Sequence, residues 1–541
     1  MGVSVSRRKF LTIGAVGAAA AMGSLALTGC ASNGNGGADA SSVTWDHEAD
    51  VVVVGYGGAG ASAAIGAARA GSTVIVLEKA PEGEEGGNLG VCGGGWIAVD
   101  KSNLSGAFDF IKAQVPSSVT DEEIQGFVDE LASTPEFVES CGAKLGEVGK
   151  APGCLYPNLV GAEAIPGSQN AGGPGKKLFS HLKETAESLS GVQVMYETPG
   201  YKLVFDPETK EVFGVVAKQG DAEINVKAKR GVILALGGYE NNLEMAHQYC
   251  APEVPIYPWG TPYNTGDGFP MISEVGAKQR HFASVEWGSF CFKKASDVAG
   301  TAVAIVYTAD QFDNAILVNK YGKRFQDEIA HNAGFLPTPT HDKRYPLAQL
   351  VYDPVEKMEY TNLPFYMVFD ETKRAAGPLA NLASKDSGQT WCGVHKNFTW
   401  SDDNMAEVDK GYIFKADTIE ELAKQAGVDP TALKETVDSW NATVAAGVDS
   451  EFGRTGQLTP ISTPPFYMSE MALSFINTQG GPERDAAHHV IDWEGSVIPR
   501  LYAGGEFGSI YGFLYQGAGN VPEAMGTRVA GENAAGEQPW V

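Results

Sequence analysis

The sequence predicts an α/β fold built on a buried parallel sheet, and three features within residues 51–78 carry that prediction. Val51-Val52-Val53-Val54 is a continuous apolar run, as in a parallel strand covered on both faces. Gly55-Tyr56-Gly57-Gly58-Ala59-Gly60 follows it directly. A second apolar run, Thr73 to Leu77, ends at Glu78 and Lys79. Each residue type suits a dinucleotide. Gly55 permits a tight turn, Gly57 lets backbone approach a pyrophosphate, and Gly60 lets the next helix lie close to the strand. That helix, expected over Ala61 to Ala70, points its first N–H groups at the phosphates. Glu78 stands where an acid accepts hydrogen bonds from a ribose. The core is therefore Rossmann-like, with Gly58, Ala59 and Lys79 as further candidate contacts.

The segments that follow extend this core. Gly86-Gly87-Asn88 and Gly93-Gly94-Gly95 flank Cys92 in a loop too rich in glycine for a regular element, so backbone must come close to something there. Lys176 to Ser190 has helical spacing. Val192 to Tyr196, Lys202 to Asp206 and Val212 to Lys218 read as hairpin-like strands, the last two joined by the turn Asp206-Pro207-Glu208-Thr209. Arg230 to Leu236 is another buried strand, with Ala235, Gly237 and Gly238 at its end. Asn264-Thr265-Gly266-Asp267-Gly268 is a second phosphate-friendly turn, opening a helix through Val275. Helices are expected over Ile419 to Ala426 and Pro430 to Val444, the latter behind the start signal Asp429-Pro430. His488 and His489 fall in a hairpin before Val490 and read as structural.

The N-terminus reads as an address. Ser6-Arg7-Arg8-Lys9-Phe10-Leu11 is a twin-arginine pattern ahead of a weakly hydrophobic run, and Leu27-Thr28-Gly29-Cys30 looks like a lipobox, which would place a lipid anchor on Cys30. An uncleaved membrane anchor is the competing interpretation. Residues 31–45, rich in Gly, Ala and Ser, read as a flexible tether. The formal charge of −26 becomes −29 once residues 1–29 and their three basic side chains are removed. So acidic a chain argues against nucleic acid as a partner. Seven cysteines include no C-x-x-C pair, which removes covalent haem and ribbon-type zinc. No metal site is expected, although an iron–sulfur cluster from distant cysteines stays open.

Taken together, Gly55 to Gly60, Glu78, Gly86 to Gly95, Ala235 to Gly238, Gly266-Asp267-Gly268, Ile316 to Asn319 with Arg324-Phe325 and Glu328, Thr478 to Gly481, and Leu501 to Glu506 occur in one order along nearly the whole chain. This resembles the FAD-binding flavoproteins of the fumarate reductase and 3-ketosteroid dehydrogenase superfamily. The resemblance implies FAD held by an α/β domain, residues 46–283 and 477–541, interrupted by an α+β capping domain, residues 284–476. It implies that Glu506 binds cofactor hydroxyls. It also implies that a helix from Asn520 and Val521 to Ala530 presents its N-terminus to the flavin, where partial positive charge favours an anionic reduced ring.

The sequence departs from fumarate reduction at three positions. The arginine four residues after Glu328 in that class is Asn332 here, the histidine before Thr478 is Asn477, and Gly505 to Asn520 holds no basic residue. Carboxylates are held by such cationic forks, so a small dicarboxylate is disfavoured. Tyr515-Gln516-Gly517-Ala518-Gly519 instead resembles the segment by which 3-ketosteroid Δ1-dehydrogenases polarise a ketone. Tyr515 and the Gly519 N–H would then form an oxyanion hole. His331 and, second, Tyr307 are the candidate proton donors. Tyr239 and Tyr511 are candidate pocket aromatics. The expected activity is reduction of the C=C bond of an enone-like small molecule, with electrons from a membrane cytochrome or quinol. Desaturation of a 3-ketosteroid and a non-catalytic electron relay are the competing activities.

Overall fold

The computed structural model describes residues 43–149, 154, 156–250, 253–305, 310–329, 350–380, 398–512 and 519–540. Among these, the strand His47–Val54 lies inside an eight-stranded sheet. It pairs in parallel with Val74–Leu77 on one side and with Ala222–Leu234 on the other, so that Val52 faces both Ile75 and Val232. Val192–Met195 extends the sheet beyond Val74–Leu77, and Val497–Ala503 extends it beyond Ala222–Leu234, both in parallel. Val51 to Val54 are essentially inaccessible, as a run packed on both faces must be.

The helix Gly58–Arg69 covers one face of this sheet. Its small residues let a second helix, Arg528–Gly536, approach at backbone distance: a Cβ on Gly531 would stand 2.1 Å from the Ala63 carbonyl oxygen. The expected helix from Asn520 to Ala530 is in fact two, Asn520–Gly526 and Arg528–Gly536, divided at Thr527. Thr527 bends its hydroxyl back to the Glu523 carbonyl at 2.9 Å, a bond that competes with the helix ladder. The expected three hairpin-like strands also differ. Val192–Met195 is a parallel member of the main sheet, and the hairpin is Gly200–Phe205 with Val212–Gln219.

A second, seven-stranded sheet is organised on the 13-residue strand Phe466–Thr478. Phe365–Asp370, Phe414–Ala416, Cys291–Phe292 and Val285–Trp287 pair with it antiparallel, and Ile256–Pro258 in parallel. That last strand brings in residues upstream of 284, where the sequence suggests that a cap begins. Alternation fixes the two faces of the sheet. Ile316 and Val318 meet Leu422, Leu433 and Trp440 of the helices Ile419–Ala426 and Pro430–Ala446. Ala315 and Leu317 turn the other way, into an apolar cluster shared with the first sheet. The second of these helices starts as Asp429-Pro430 suggests, with the Asp429 carboxylate accepting from the Ala432 N–H at 2.7 Å. No helix among the described residues is long and apolar enough to cross a membrane.

Candidate active site

A cavity of about 500 Å³ lies at the carboxyl ends of the parallel strands, where ligands of α/β sheets bind. Many residues of its wall are glycines of the segments that leave the strands. Gly55 has φ +100°, and a Cβ there would stand 2.4 Å from the Ala235 carbonyl oxygen. Gly60 is needed for a different reason: a Cβ would sit 1.9 Å from the Gly55 carbonyl oxygen, so this glycine lets the helix close onto its own turn. The helix Gly58–Arg69 has no side-chain cap and no acid in its first turn, which leaves its N-terminal N–H groups to an anion.

Most of the expected contacts converge here. Gly55, Gly57, Gly58, Ala59, Glu78, Lys79, Gly87, Asn88, Gly93, Gly94, Ala235, Gly237, Asp267, Glu506, Asn520 and Val521 all line the cavity. Gly60, Gly86 and Gly238 are not in its wall. Of the catalytic candidates, Gly519 is described and caps the helix Asn520–Gly526. Tyr307, His331 and Tyr515 lie outside the described residues. The two candidate pocket aromatics are absent from the wall. Tyr239 is buried and donates to the Phe282 carbonyl, while Tyr511 packs edge-on against Phe127 at 5.7 Å. His488 and His489 also stand apart from it. His488 meets Glu130 at 2.6 Å and Arg484 at 2.9 Å, and His489 meets Asp485 at 2.9 Å.

The polar side chains of the wall are held by backbone N–H groups and by one another. Glu78 is 7% exposed and accepts from the Tyr56 N–H and the Ala80 N–H, both at 2.6 Å. It thereby ties the glycine turn to the end of the second strand. Burial raises its carboxyl above the ordinary value despite those two donors. Lys79 contacts Asp267 and Thr265, each at 2.6 Å. Asn88 joins two acids: its amide donates to Glu240 Oε1 at 2.8 Å and to Glu506 Oε2 at 3.0 Å. Burial pushes the Glu240 carboxyl up to about 7, and burial followed by the neighbouring Glu240 holds Glu506 well above the carboxylate range. The Cys92 thiol is pushed up to about 12 by burial, so it is a neutral wall group and no thiolate nucleophile.

Three residues that matter here carried no local signature in the sequence. Glu240 reaches the cluster from the turn after Ala222–Leu234, and Glu286 and Trp287 reach the wall from the second sheet. Asn477 was visible only as the replacement for a histidine. It lies directly opposite Glu286 and donates to its Oε2 at 2.7 Å.

A glycine-walled cavity at the end of a parallel sheet, with an uncapped helix start and an acid on the second strand, fits a dinucleotide with a long polar chain. Residues 50–521 match the family model described as the FAD binding domain. The chain belongs to this family.

It is a flavoprotein oxidoreductase of the fumarate reductase and 3-ketosteroid dehydrogenase superfamily, and its cofactor is FAD. It is 29% identical to the digoxin reductase of Eggerthella lenta, over 99% of this chain and 98% of that one. It is 25% identical to a probable fumarate reductase of Shewanella frigidimarina, over 90% of this chain and 74% of that one. Its fold matches the crystal structure of the 3-ketosteroid Δ1-dehydrogenase from Sterolibacterium denitrificans in complex with 1,4-androstadiene-3,17-dione. That match has a TM-score of 0.72 at 20% identity, covering 91% of this chain and all of the other. In this flavoprotein Gly55 to Ala59 and the start of Gly58–Arg69 suit the pyrophosphate, Glu78 suits a ribose, and Glu506 with Asn88 suits the hydroxyls of the linking chain.

Proposed function

We propose that this FAD-dependent oxidoreductase of CH–CH and C=C bonds works in the reducing direction, on the activated double bond of an α,β-unsaturated carbonyl compound. One observation carries the choice of substrate. Among the described residues of the cavity wall there is neither arginine nor histidine, and the basic side chain present, Lys79, is engaged by Asp267. A fumarate-type clamp needs guanidinium or imidazolium groups aimed at carboxylates. A neutral carbonyl needs uncharged donors. A relative of this length that is named a digoxin reductase supports the same reading.

When bound, FAD supplies two electrons to the β-carbon of the acceptor as hydride. The chain's own residues do the rest. Tyr515 and the Gly519 N–H hold the carbonyl oxygen as negative charge develops on it, where a fixed donor is worth most. Gly519 immediately precedes Asn520, which lines the cavity, and this adjacency supports the reading. His331, or else Tyr307, delivers the proton to the α-carbon. Residues 284–476 act as the cap that shuts water out, over a FAD domain of residues 46–283 and 477–541. The twin-arginine segment and Cys30 make this an exported, lipid-tethered enzyme fed by a membrane cytochrome or quinol. The Tyr515 to Gly519 segment also favours a second reading, a ketosteroid desaturase using the same residues in reverse.

Direction is tested by steady-state turnover of the FAD-loaded protein under nitrogen. With reduced viologen as donor, cyclic enones and cinnamate esters should be consumed and fumarate should not. Turnover of a saturated 3-ketosteroid with an artificial electron acceptor, and of no enone, would establish the desaturase instead.

A further inference from the structure

Two acids share one amide at the cofactor cavity. Glu506 follows the strand Val497–Ala503 and lines the cavity, while Glu240 is fully buried behind it. Asn88 stands between them with its orientation fixed, because its Oδ1 accepts from the Thr261 N–H at 2.9 Å. Its Nδ2 is thereby presented to both acids, to Glu240 Oε1 at 2.8 Å and to Glu506 Oε2 at 3.0 Å. Asn264 Nδ2 gives Glu240 Oε1 a second donor at 2.7 Å, whereas Glu506 Oε1 has Asn520 Nδ2 at 3.5 Å.

Each of these side-chain donors is a neutral amide, and among the described residues neither acid forms an ion pair. Two carboxylates within reach of one amide, out of water, cannot both ionise at neutral pH, so the pair keeps a proton. The titratable groups around it do not lift this constraint. The Lys79 ammonium is engaged by Asp267, Glu286 adds no positive charge, and burial holds the Cys92 thiol and the Tyr239 hydroxyl neutral. Glu240 has the shorter hydrogen bonds from amides and is the better placed of the two to carry charge. Burial pushes its carboxyl up to about 7, and burial together with Glu240 holds Glu506 higher.

We propose that Glu240 is a positioning residue for the cofactor, which keeps a proton on Glu506 so that Glu506 grips FAD as a neutral acid. A protonated carboxyl can donate to one hydroxyl of the linking chain and accept from another, whereas a carboxylate only accepts. Bound FAD covers Glu506 and brings the negative charge of its pyrophosphate into the cavity, and both effects favour the protonated form. Binding is thus linked to that proton. Affinity is constant while the released protein also holds the proton, and falls as rising pH strips the proton from the released form. The inference rests on FAD as cofactor and on neither the substrate nor the direction of turnover.

The FAD-loaded protein is diluted into buffers from about pH 6 to about pH 9.5, a range above the ordinary carboxylates, and the flavin released at equilibrium is read by its fluorescence. The dissociation constant should be flat near neutrality and rise on the alkaline side, by up to about tenfold per pH unit for one proton. Glu506→Gln, a neutral group that both donates and accepts at any pH, should abolish the rise. Glu240→Gln removes the like charge that retains the proton, and should move the rise to lower pH by about one unit. Should that variant fail to fold, Asn264→Leu decides instead, since withdrawing a donor from Glu240 should move the rise to higher pH. A flat wild-type profile overturns the proposal, as does a rise that persists in Glu506→Gln. A rise left in place by Glu240→Gln, or by Asn264→Leu where that variant is the one that folds, removes Glu240 from the role.

Discussion

Glu78 shows how one residue can serve both the fold and the cofactor. Its two oxygens are already committed to the Tyr56 and Ala80 N–H groups, so its remaining lone pairs are what a ribose would meet. Removing the carboxylate strands two buried donors, each at about 1–3 kcal/mol. Glu78→Ala should therefore lower the urea midpoint of the apoprotein and also weaken FAD retention, read by fluorescence of flavin released on dilution. A variant that lost flavin with an unchanged midpoint would show that those two hydrogen bonds contribute nothing to folding. The Gly-x-Gly-Gly-x-Gly turn and Glu78 were legible in the sequence because each satisfies a local backbone requirement. Glu240 and Glu286 were not legible, because nothing near either one in the chain marks it. They acquire meaning only when the turn after Ala222–Leu234 and the edge strand Val285–Trp287 fold over the cavity.

Among the elements, the second sheet depends on a buried charge lattice. Glu328 receives Arg324 in a two-point contact at 3.0 Å and Arg454 at 3.2 Å, and Arg324 also reaches Asp449 at 3.0 Å. Glu328, Asp449 and Arg454 have fully buried side chains, and Arg324 is 3% exposed, its guanidinium 4.6 Å from the Trp440 ring. The sequence presents Arg324-Phe325 and Glu328 as a family pattern, and the structure supplies its physical basis. The lattice pins the end of strand Ala315–Asn319, whose Leu317 N–H donates to Glu328 Oε1, against the segment at 449–457. Replacing Glu328 by Gln leaves two arginines facing each other with one counter-charge fewer. This should cost about 3–5 kcal/mol, the range for breaking a buried pair from one side. Guanidinium unfolding of Glu328→Gln checks this, and a loss below about 1 kcal/mol would mean that the lattice is not what holds this sheet. Helix starts were well signalled at this scale, as at Asp429-Pro430. The division at Thr527 was not, because it depends on a side chain returning to its own backbone. The long helix Asp121–Ser140 carries a Thr120 to Glu123 capping box that a pattern search for helix starts can find.

For the whole molecule, the two sheets divide the chemistry. The parallel sheet, read almost entirely from alternating apolar runs and glycines, provides a cradle that fits a dinucleotide. The second sheet, whose strands come from segments far apart in sequence, closes one side of that cradle with Trp287, Ile476, Glu286 and Asn477. Among the described residues, the result is a wall with acids and amides in which the basic side chain, Lys79, is engaged by Asp267. That combination is the central claim, and anaerobic single-turnover mixing tests it most directly. FAD-loaded protein, reduced with one equivalent of dithionite, is mixed with a cyclic enone or with fumarate, and the return of the oxidised flavin absorbance is followed. The account predicts rapid return with the enone and no acceleration over buffer with fumarate. Rapid return with fumarate, or a protein that retains no flavin at all, would contradict it.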